Sequence, residues 1–103
     1  VVRELKVRED GWLANKNLSE CRLYDEGVTV VGIYRASGRY VGAPKASTVI
    51  EPGDTLILYG SSDVLENLGN RKEGSGGDIE HDIATEQQKQ RVAQQDLEEG
   101  GYE

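Results

Sequence analysis

Methionine is absent from this chain of 103 residues, and cysteine and histidine occur once each, as Cys21 and His81. A single cysteine excludes an internal disulfide and a cysteine-based zinc site. A single histidine supplies no histidine cluster for a metal ion. Because Val1 is not a translated start, we expect the chain to be cut from a longer protein, any membrane span of which would lie outside these residues.

Positive charge and long apolar runs are also scarce. There are 12 Lys+Arg against 19 Asp+Glu, which gives a formal net charge of -7. Nucleic-acid-binding domains carry a basic footprint, so we expect no nucleic-acid partner. The longest apolar run, residues 28–34, has the length of a strand and is far below the roughly 18 residues that span a bilayer.

The common signatures of enzymes are missing from the sequence. Gly27 and Gly32 have the end spacing of a phosphate-binding loop, but Ile33 and Tyr34 follow in place of Lys and Ser/Thr. The dinucleotide-binding glycine motif, the helical zinc-protease motif and the nucleophile elbow are absent as well. We therefore predict that the chain is not an enzyme.

The isolated residues of catalytic type have plain interpretations. Glu20, Asp25 and Glu26 surround the end of a short helix and are predicted to be solvated. His81 lies in an acidic segment and is predicted to be solvated too. Cys21 shares a helix face with a leucine, which favours a buried structural thiol over a reactive one.

The composition changes sharply near residue 69. Residues 1–68 carry most of the apolar side chains, whereas residues 69–103 are acidic and open with a Gly/Ser-rich linker at 71–77. Low hydrophobicity combined with net charge is typical of disorder, so we predict a compact domain at 1–68 and a largely disordered tail. Ile79 and Ile83, and likewise Ala93 and Leu97, stand four residues apart, so an amphipathic helix that docks on a partner is the alternative.

Patterns within residues 1–68 predict strands at 1–7, 28–34, 39–43 and 55–59. Asn17 and Glu20 have capping-box spacing at the start of a short helix, and a second helix, capped within the turn at residues 60–63, ends with Gly69 at its C′ position. Pro52 and the glycine after it fit the centre of a type II turn. This order predicts a small α+β domain in which two short helices cover one face of a sheet. Dimerisation is one remedy for so thin a core.

A cationic patch is predicted at the hairpin that joins the second and third strands. Arg35 and Arg39 flank the loop at 36–38, Tyr34 and Tyr40 lie next to them, and Lys45 follows shortly after. Guanidinium groups suit phosphate or carboxylate, and aromatic faces suit a flat ring. One interpretation is a site for an anionic ligand such as a nucleotide.

The other interpretation of this patch is structural. Like charges that face each other across two strands are destabilising, so another group must offset them. Glu51 and Asp54 are candidates for neutralising the arginines, or both arginines extend into water.

The sequence resembles the TrkA-C domain, the C-terminal lobe of regulators of potassium conductance. The resemblance is carried by residues 28–35, then Pro44, then residues 50–60 (Ile-Glu-Pro-Gly-Asp-Thr-Leu-Ile-Leu-Tyr-Gly). The short helix at residues 18–23 also matches, with Cys21 where a leucine is usual. The resemblance covers residues 1–68 in the order of the family, and the tail matches no known pattern.

The resemblance implies a dimeric, ligand-sensing module on the cytoplasmic side of a potassium channel, a potassium uptake system or another transporter. Some members of the family bind cyclic di-AMP at the dimer interface through a strand aliphatic, an arginine and a proline. Carried over to this chain, those residues are Ile33, Arg35, Arg39 and Pro44, with no metal and no catalytic residue.

We therefore expect a cytoplasmic, homodimeric regulatory domain of a potassium or other cation transport protein, attached to or associated with the membrane, with cyclic di-AMP as the candidate ligand. The alternative is a dimerisation or assembly module of a membrane transporter that has no small-molecule ligand and whose acidic tail binds a basic partner.

Overall fold

The computed structural model describes residues 1–99, with side chains through residue 97. Its strands are Val2–Lys6 (β1), Thr29–Tyr34 (β2), Tyr40–Gly42 (β3) and Thr55–Tyr59 (β4). Its α-helices are Leu18–Cys21 (α1), Ser62–Asn70 (α2) and Ser75–Glu99 (α3), and a 3-10 helix spans Leu23–Glu26. None of the helices in this part of the chain is long and apolar enough to cross a membrane.

The four strands form one antiparallel sheet in the order β1-β4-β2-β3. β4 and β2 are central, whereas β1 and the short β3 are the edges. The predicted α+β class is confirmed, and the structure adds the third helix, α3, to the two that the sequence indicates.

Local signals place most of the turns and caps. The side chain of Asn17 accepts from the backbone N–H of Glu20, whose carboxylate accepts from the N–H of Asn17, so the predicted capping box is formed. Gly53 has φ +91°, which the predicted type II turn requires. The prediction that Gly69 ends the second helix is wrong, because α2 continues to Asn70 and Arg71 is its C-cap.

The core lies between the sheet and the helices. It contains Val28, Ile33, Leu56 and Leu58 of the strand region, with less than 2% of each side chain exposed. Cys21 is fully buried among them, and this burial raises the pKa of its thiol to about 11. The predicted burial of this thiol is thereby confirmed.

The predicted disordered tail is not what the structure shows. Residues 75–99 form α3, and Gly77, His81, Ala84 and Thr85 on one side of it are buried against the rest of the molecule. The indole Nε1 of Trp12 donates to Asp78 Oδ1 at 2.9 Å, which fixes the start of the helix. The compact part of the molecule therefore does not end at residue 68.

A buried ionic network holds α3 to the 3-10 helix. Both terminal nitrogens of Arg71 donate to the carboxylate of Glu26, at 2.9 and 2.7 Å, and both side chains have 0% exposure. His81 Nδ1 lies 2.5 Å from the same carboxylate, and its ring stacks on Trp12 with a centroid distance of 5.0 Å. The predictions that Glu26 and His81 are solvated are therefore wrong. The carboxylate of Glu26 is buried with hydrogen-bond partners that lie far away in the sequence: Arg71 is 45 residues away and His81 is 55 residues away.

Candidate ligand site at the β2–β3 hairpin

The hairpin that joins β2 and β3 has the predicted geometry. The N–H of Arg35 donates to the carbonyl of Arg39 at 2.8 Å, and the N–H of Gly38 donates to the carbonyl of Arg35 at 2.8 Å. Gly38 has φ +89°, the left-handed conformation that a three-residue hairpin loop needs at this position. The two arginines consequently flank the loop on adjacent strands.

Arg35 is neutralised from within the chain. Its Nη1 donates to Asp54 Oδ2 at 2.7 Å and to the carbonyl of Val49 at 2.8 Å, and it lies 3.5 Å from Glu51 Oε2. Asp54 is 1% exposed and also accepts from the N–H of Glu51. Arg35 therefore ties the hairpin to the turn before β4, as the structural interpretation of the patch predicts.

Arg39, unlike Arg35, is not neutralised by a neighbouring acid in the described part of the chain. Its side chain is exposed, and no carboxylate within residues 1–97 forms an ion pair with it. It lines an open groove of about 510 Å³ with Arg35, Val41, Thr48, Pro52 and neighbouring residues. Glu51 and Asp54 also line the groove and pair with Arg35, so Arg39 is the guanidinium there that remains outside an ion pair and suits an anionic group.

Two tyrosines flank the hairpin on the sheet surface. Tyr34 and Tyr40 pair across β2 and β3, and their ring centroids are 4.7 Å apart. They are 43% and 47% exposed, and the nearby Val31 and Val49 are 44% and 45% exposed. The Tyr40 ring covers the backbone of Gly32, where a β-carbon would collide with the ring. Because side chains alternate along a strand, Tyr34 and Tyr40 lie on the opposite side of the sheet from Arg35, Arg39 and Val41 and do not line the groove.

The four predicted site residues do not all meet in one place. Arg35 and Arg39 line the groove, whereas Ile33 has 0% exposure and belongs to the core, so it cannot contact a ligand directly. A β-bulge between Val30 and Gly32 shifts the strand register, so that Ile33 points into the core, while Gly32 points to the other side of the sheet and is covered by the Tyr40 ring. Pro44, half-buried beyond β3, is not part of the groove lining.

An aliphatic side chain does line the groove, although the sequence did not single it out. Val41 is half-buried and pairs with Ile33 across the two strands. The sequence predicts the central residue of β3 only as part of a return strand and does not indicate which side of the sheet its side chain occupies. Within residues 1–97, no group of three or more His, Cys, Asp or Glu is arranged to hold a metal ion.

The model of the TrkA-C domain family matches residues 2–72. The chain belongs to the TrkA-C domain family. The match begins with β1 and extends to Lys72, so it includes the buried Arg71 but not α3.

Relatives of this TrkA-C domain include a membrane transporter. Sodium/sulfate cotransporter 2 of Chlamydomonas reinhardtii is 36% identical over 66 residues, which cover 63% of this chain. The chain spans only 7% of the length of that relative. The similarity therefore concerns one small part of the cotransporter.

Solved structures share the fold over about two thirds of the chain. The RCK_C domain dimer of S. agalactiae BusR, in complex with c-di-AMP, has a TM-score of 0.58 and 28% identity, and covers 67% of this chain and 91% of its own. The RCK C domain of the potassium transport protein KtrA, also in complex with c-di-AMP, has a TM-score of 0.59 and 23% identity, and covers 67% of this chain and 79% of its own. The KtrA likeness shows the fold alone.

Proposed function

We propose that this TrkA-C domain is a non-catalytic, ligand-sensing regulatory domain of a cation transport protein, and that it works as a homodimer on the cytoplasmic side of the membrane. The observation that carries the proposal is the family match over residues 2–72. The similarity to part of a sodium/sulfate cotransporter supports attachment to a transporter, and sodium is then as suitable a transported cation as potassium.

The ligand that fits the hairpin groove is an anion, and cyclic di-AMP is the candidate. The BusR domain, 28% identical, is a dimer in complex with this molecule. In the present chain Arg39 supplies a guanidinium outside any ion pair for a phosphate. Val41 takes the aliphatic role for which the buried Ile33 is unsuited.

Dimerisation follows from the same surface. Each chain offers one free arginine at the hairpin, whereas cyclic di-AMP has two phosphates related by a twofold axis. A ligand that lies on the twofold axis of a dimer meets two copies of Arg39, and the interface is isologous.

Regulation then follows from unequal affinity. If the ligand binds one dimer geometry better than another, it shifts the population towards that geometry, and the attached transport domain responds. A ligand with equal affinity for both geometries shifts nothing. The energy available for regulation is therefore the difference between the two binding free energies.

A second candidate function is an assembly module without a small ligand. The observation that favours it is the Arg35–Asp54 pair, because a guanidinium held at 2.7 Å by a buried carboxylate and by a backbone carbonyl is less available to phosphate. In that case the hairpin surface serves only to join two chains.

Arg39→Ala is expected to weaken cyclic di-AMP binding by about 10- to 100-fold, because a charged hydrogen bond contributes about 1.5–3 kcal/mol. Binding can be followed by fluorescence anisotropy with labelled cyclic di-AMP and unlabelled ligand as competitor. Arg3→Ala is the matched control, since Arg3 is exposed on β1 at the opposite edge of the sheet.

Equal weakening in both arginine variants would assign the effect to net charge and contradict the site. Unchanged binding in Arg39→Ala would also contradict it. Arg35→Ala is a poorer test, because it leaves Asp54 buried without its partner and so changes stability as well as binding.

A further inference from the structure

The strand β1 is an open edge of the sheet along its whole length. Its pairing with β4 runs from Val2 to Lys6 without a register shift. The other edge is closed to a further strand, because β3 has three residues and is followed by Ala43, with φ +48°, and by Pro44. β1 contains neither a proline nor a bulge, so it is the edge that can accept another strand.

The hydrogen bonds to β4 show which backbone groups of β1 remain free. The amino group of Val1 donates to the carbonyl of Gly60 at 2.7 Å, and the N–H of Gly60 donates back at 3.0 Å. The N–H of Val7 likewise donates to the carbonyl of Asp54 at 2.8 Å. In an antiparallel pair, residues that exchange such bonds alternate with residues whose polar groups point away. The residues of β1 with polar groups on the open edge are therefore Val2, Glu4 and Lys6.

The polar groups on this open edge have no backbone partner. In the part of the chain that the structure describes, no backbone hydrogen bond reaches these three residues from another element. Each of them offers one N–H donor and one C=O acceptor. Such a row is a template for an extended segment, which gains main-chain hydrogen bonds by joining the sheet.

A groove of about 510 Å³ runs beside β1, between this strand and α2. Its apolar lining consists of the half-buried Leu5 and of Leu58 and Leu65, which are 0% and 4% exposed. Arg3 pairs with Leu58 across the sheet, so Arg3 and Leu5 both point to the helix side. A strand added to β1 would therefore send every second side chain into this groove, with the central one beside Leu5.

The groove is net positive, whereas the whole chain carries a formal net charge of -7. The acids of its lining are Glu4 and Glu66, and its basic residues are Arg3, Lys6 and Arg8. No salt bridge within residues 1–97 includes any of these three basic side chains. Their charges are thus open to carboxylates of a partner, and an acidic partner fits this edge better than a basic one.

We propose that β1 binds an extended acidic segment of a partner protein as a fifth strand of the sheet. The segment lies antiparallel to β1, which is the more stable pairing. Its backbone bonds to the open edge, and one face of it enters the groove. There an apolar side chain lies opposite Leu5, and acidic side chains two positions before and after it lie near Arg3 and Arg8. The recognised pattern is acid, any residue, apolar, any residue, acid.

This binding surface does not rest on the proposed ligand site. β1 and β3 are opposite edges of the sheet, and the hairpin groove lies beside β3. Arg3→Ala is expected to weaken binding of the acidic segment and to leave cyclic di-AMP binding unchanged. Arg39→Ala is expected to do the reverse. Failure of the one proposal is therefore distinguishable from failure of the other.

Fluorescence anisotropy of a labelled peptide with the full chain tests the acidic pattern. The probe is Ser-Asp-Thr-Leu-Thr-Asp-Ser, and the control peptide has lysine in place of both aspartates. We expect the acidic peptide to bind at least about tenfold more tightly than the lysine peptide. Arg3→Ala and Arg8→Ala are each expected to weaken its binding by about 2- to 5-fold. Equal binding of the two peptides would overturn the acidic partner.

Two substitutions of Glu4 test the strand addition. Glu4→Pro removes an N–H from the open edge and leaves the ladder to β4 intact, since proline is tolerated where the N–H of an edge strand faces solvent. We expect it to weaken peptide binding by about tenfold. Glu4→Ala keeps the N–H and is expected to bind at least as tightly as the unmodified chain. Equal binding by both variants would overturn the fifth strand.

Amide hydrogen exchange of the unmodified chain gives a readout that does not depend on the folding of either variant. Saturating acidic peptide is expected to slow exchange at Glu4 and Lys6, whose N–H groups point to the open edge, and to leave the amides of the β2–β3 hairpin unchanged. No slowing at Glu4 and Lys6 would overturn the proposal. The charged residues of β1 would then serve only to keep the edge free of other strands.

Discussion

Arg71→Met is expected to lower the free energy of unfolding by about 3–5 kcal/mol, because it leaves the carboxylate of Glu26 buried without its bidentate partner. The loss also removes the hydrogen bond from Arg71 to Asn67 and the contact of its guanidinium with Trp12. For a small domain with a total stability of about 5–15 kcal/mol, this is a large fraction. Urea unfolding followed by circular dichroism measures the change.

The matched control for Arg71→Met is Lys72→Met. Lys72 pairs with Asp10 at 2.8 Å, but both side chains are well exposed, and such pairs contribute little in water. Lys72 does lower the pKa of Asp10 through a hydrogen bond and its charge. A change in Arg71→Met no larger than that in Lys72→Met would show that the buried network does not hold the domain together.

The double variant Glu26→Met/Arg71→Met separates the two parts of this effect. Breaking a buried pair leaves an uncompensated charge, whereas replacing both members removes the charge and fills the space with apolar atoms. The double variant is expected to be more stable than either single variant. An additive loss would indicate that packing, rather than the unpaired charge, dominates.

Gly77→Ala is expected to destabilise the protein by about 1–3 kcal/mol, the usual cost of overpacking. A β-carbon at Gly77 would overlap the backbone carbonyl oxygen of Lys72 and lie 2.5 Å from Cδ1 of Trp12. Because the obstacle is backbone and a buried ring, the start of α3 must shift. The shift weakens the hydrogen bond from Trp12 to Asp78 and the contact of His81 with Glu26.

The neighbouring residue gives a control of opposite sign. A β-carbon on Gly76 meets nothing within 4 Å, and Gly76 also lies in α3. Alanine is favoured over glycine in a helix by about 0.5–1 kcal/mol, so Gly76→Ala is expected to stabilise. Thermal unfolding of both variants checks the pair. The same sign in both would contradict the packing of α3 against the loop at Trp12.

Short-range signals account for the parts of the fold that could be predicted. The capping box of Asn17 with Glu20, the left-handed Gly53 and the β-branched run of β2 each act within a few residues. They identify the α+β domain and its hairpin from the sequence. The family resemblance depended on these same segments, and the match over residues 2–72 confirms it.

Long-range partners account for what could not be predicted. The buried side of α3 is formed by Gly77, His81, Ala84 and Thr85, so no apolar pattern marks it. Its stability comes from the contact of His81 with Glu26, which lies 55 residues earlier in the sequence. The residues next to each of these two groups in the sequence indicate a solvated side chain. The disordered interpretation of residues 75–99 failed for this reason, and residues 100–103 of the predicted tail lie outside the described part of the chain.

The candidate site was predicted in part for similar reasons. The hairpin loop fixes Arg35 and Arg39 on adjacent strands, and the sequence also indicates Asp54 as an acid that neutralises an arginine, which its contact with Arg35 confirms. Strand alternation could not place Ile33, because the bulge before it moves the side chain into the core. Which of the two arginines is free depends on the turn before β4, which sequence spacing does not fix.

The most direct test of the proposed sensing function is a calorimetric titration of the full chain with cyclic di-AMP, with ATP as the control ligand. The proposal predicts micromolar or tighter binding at about one ligand per two chains, and no comparable heat with ATP. The absence of both heat and a thermal shift would contradict the sensing function and favour the assembly module. Binding at one ligand per chain would contradict a site on the twofold axis of a dimer.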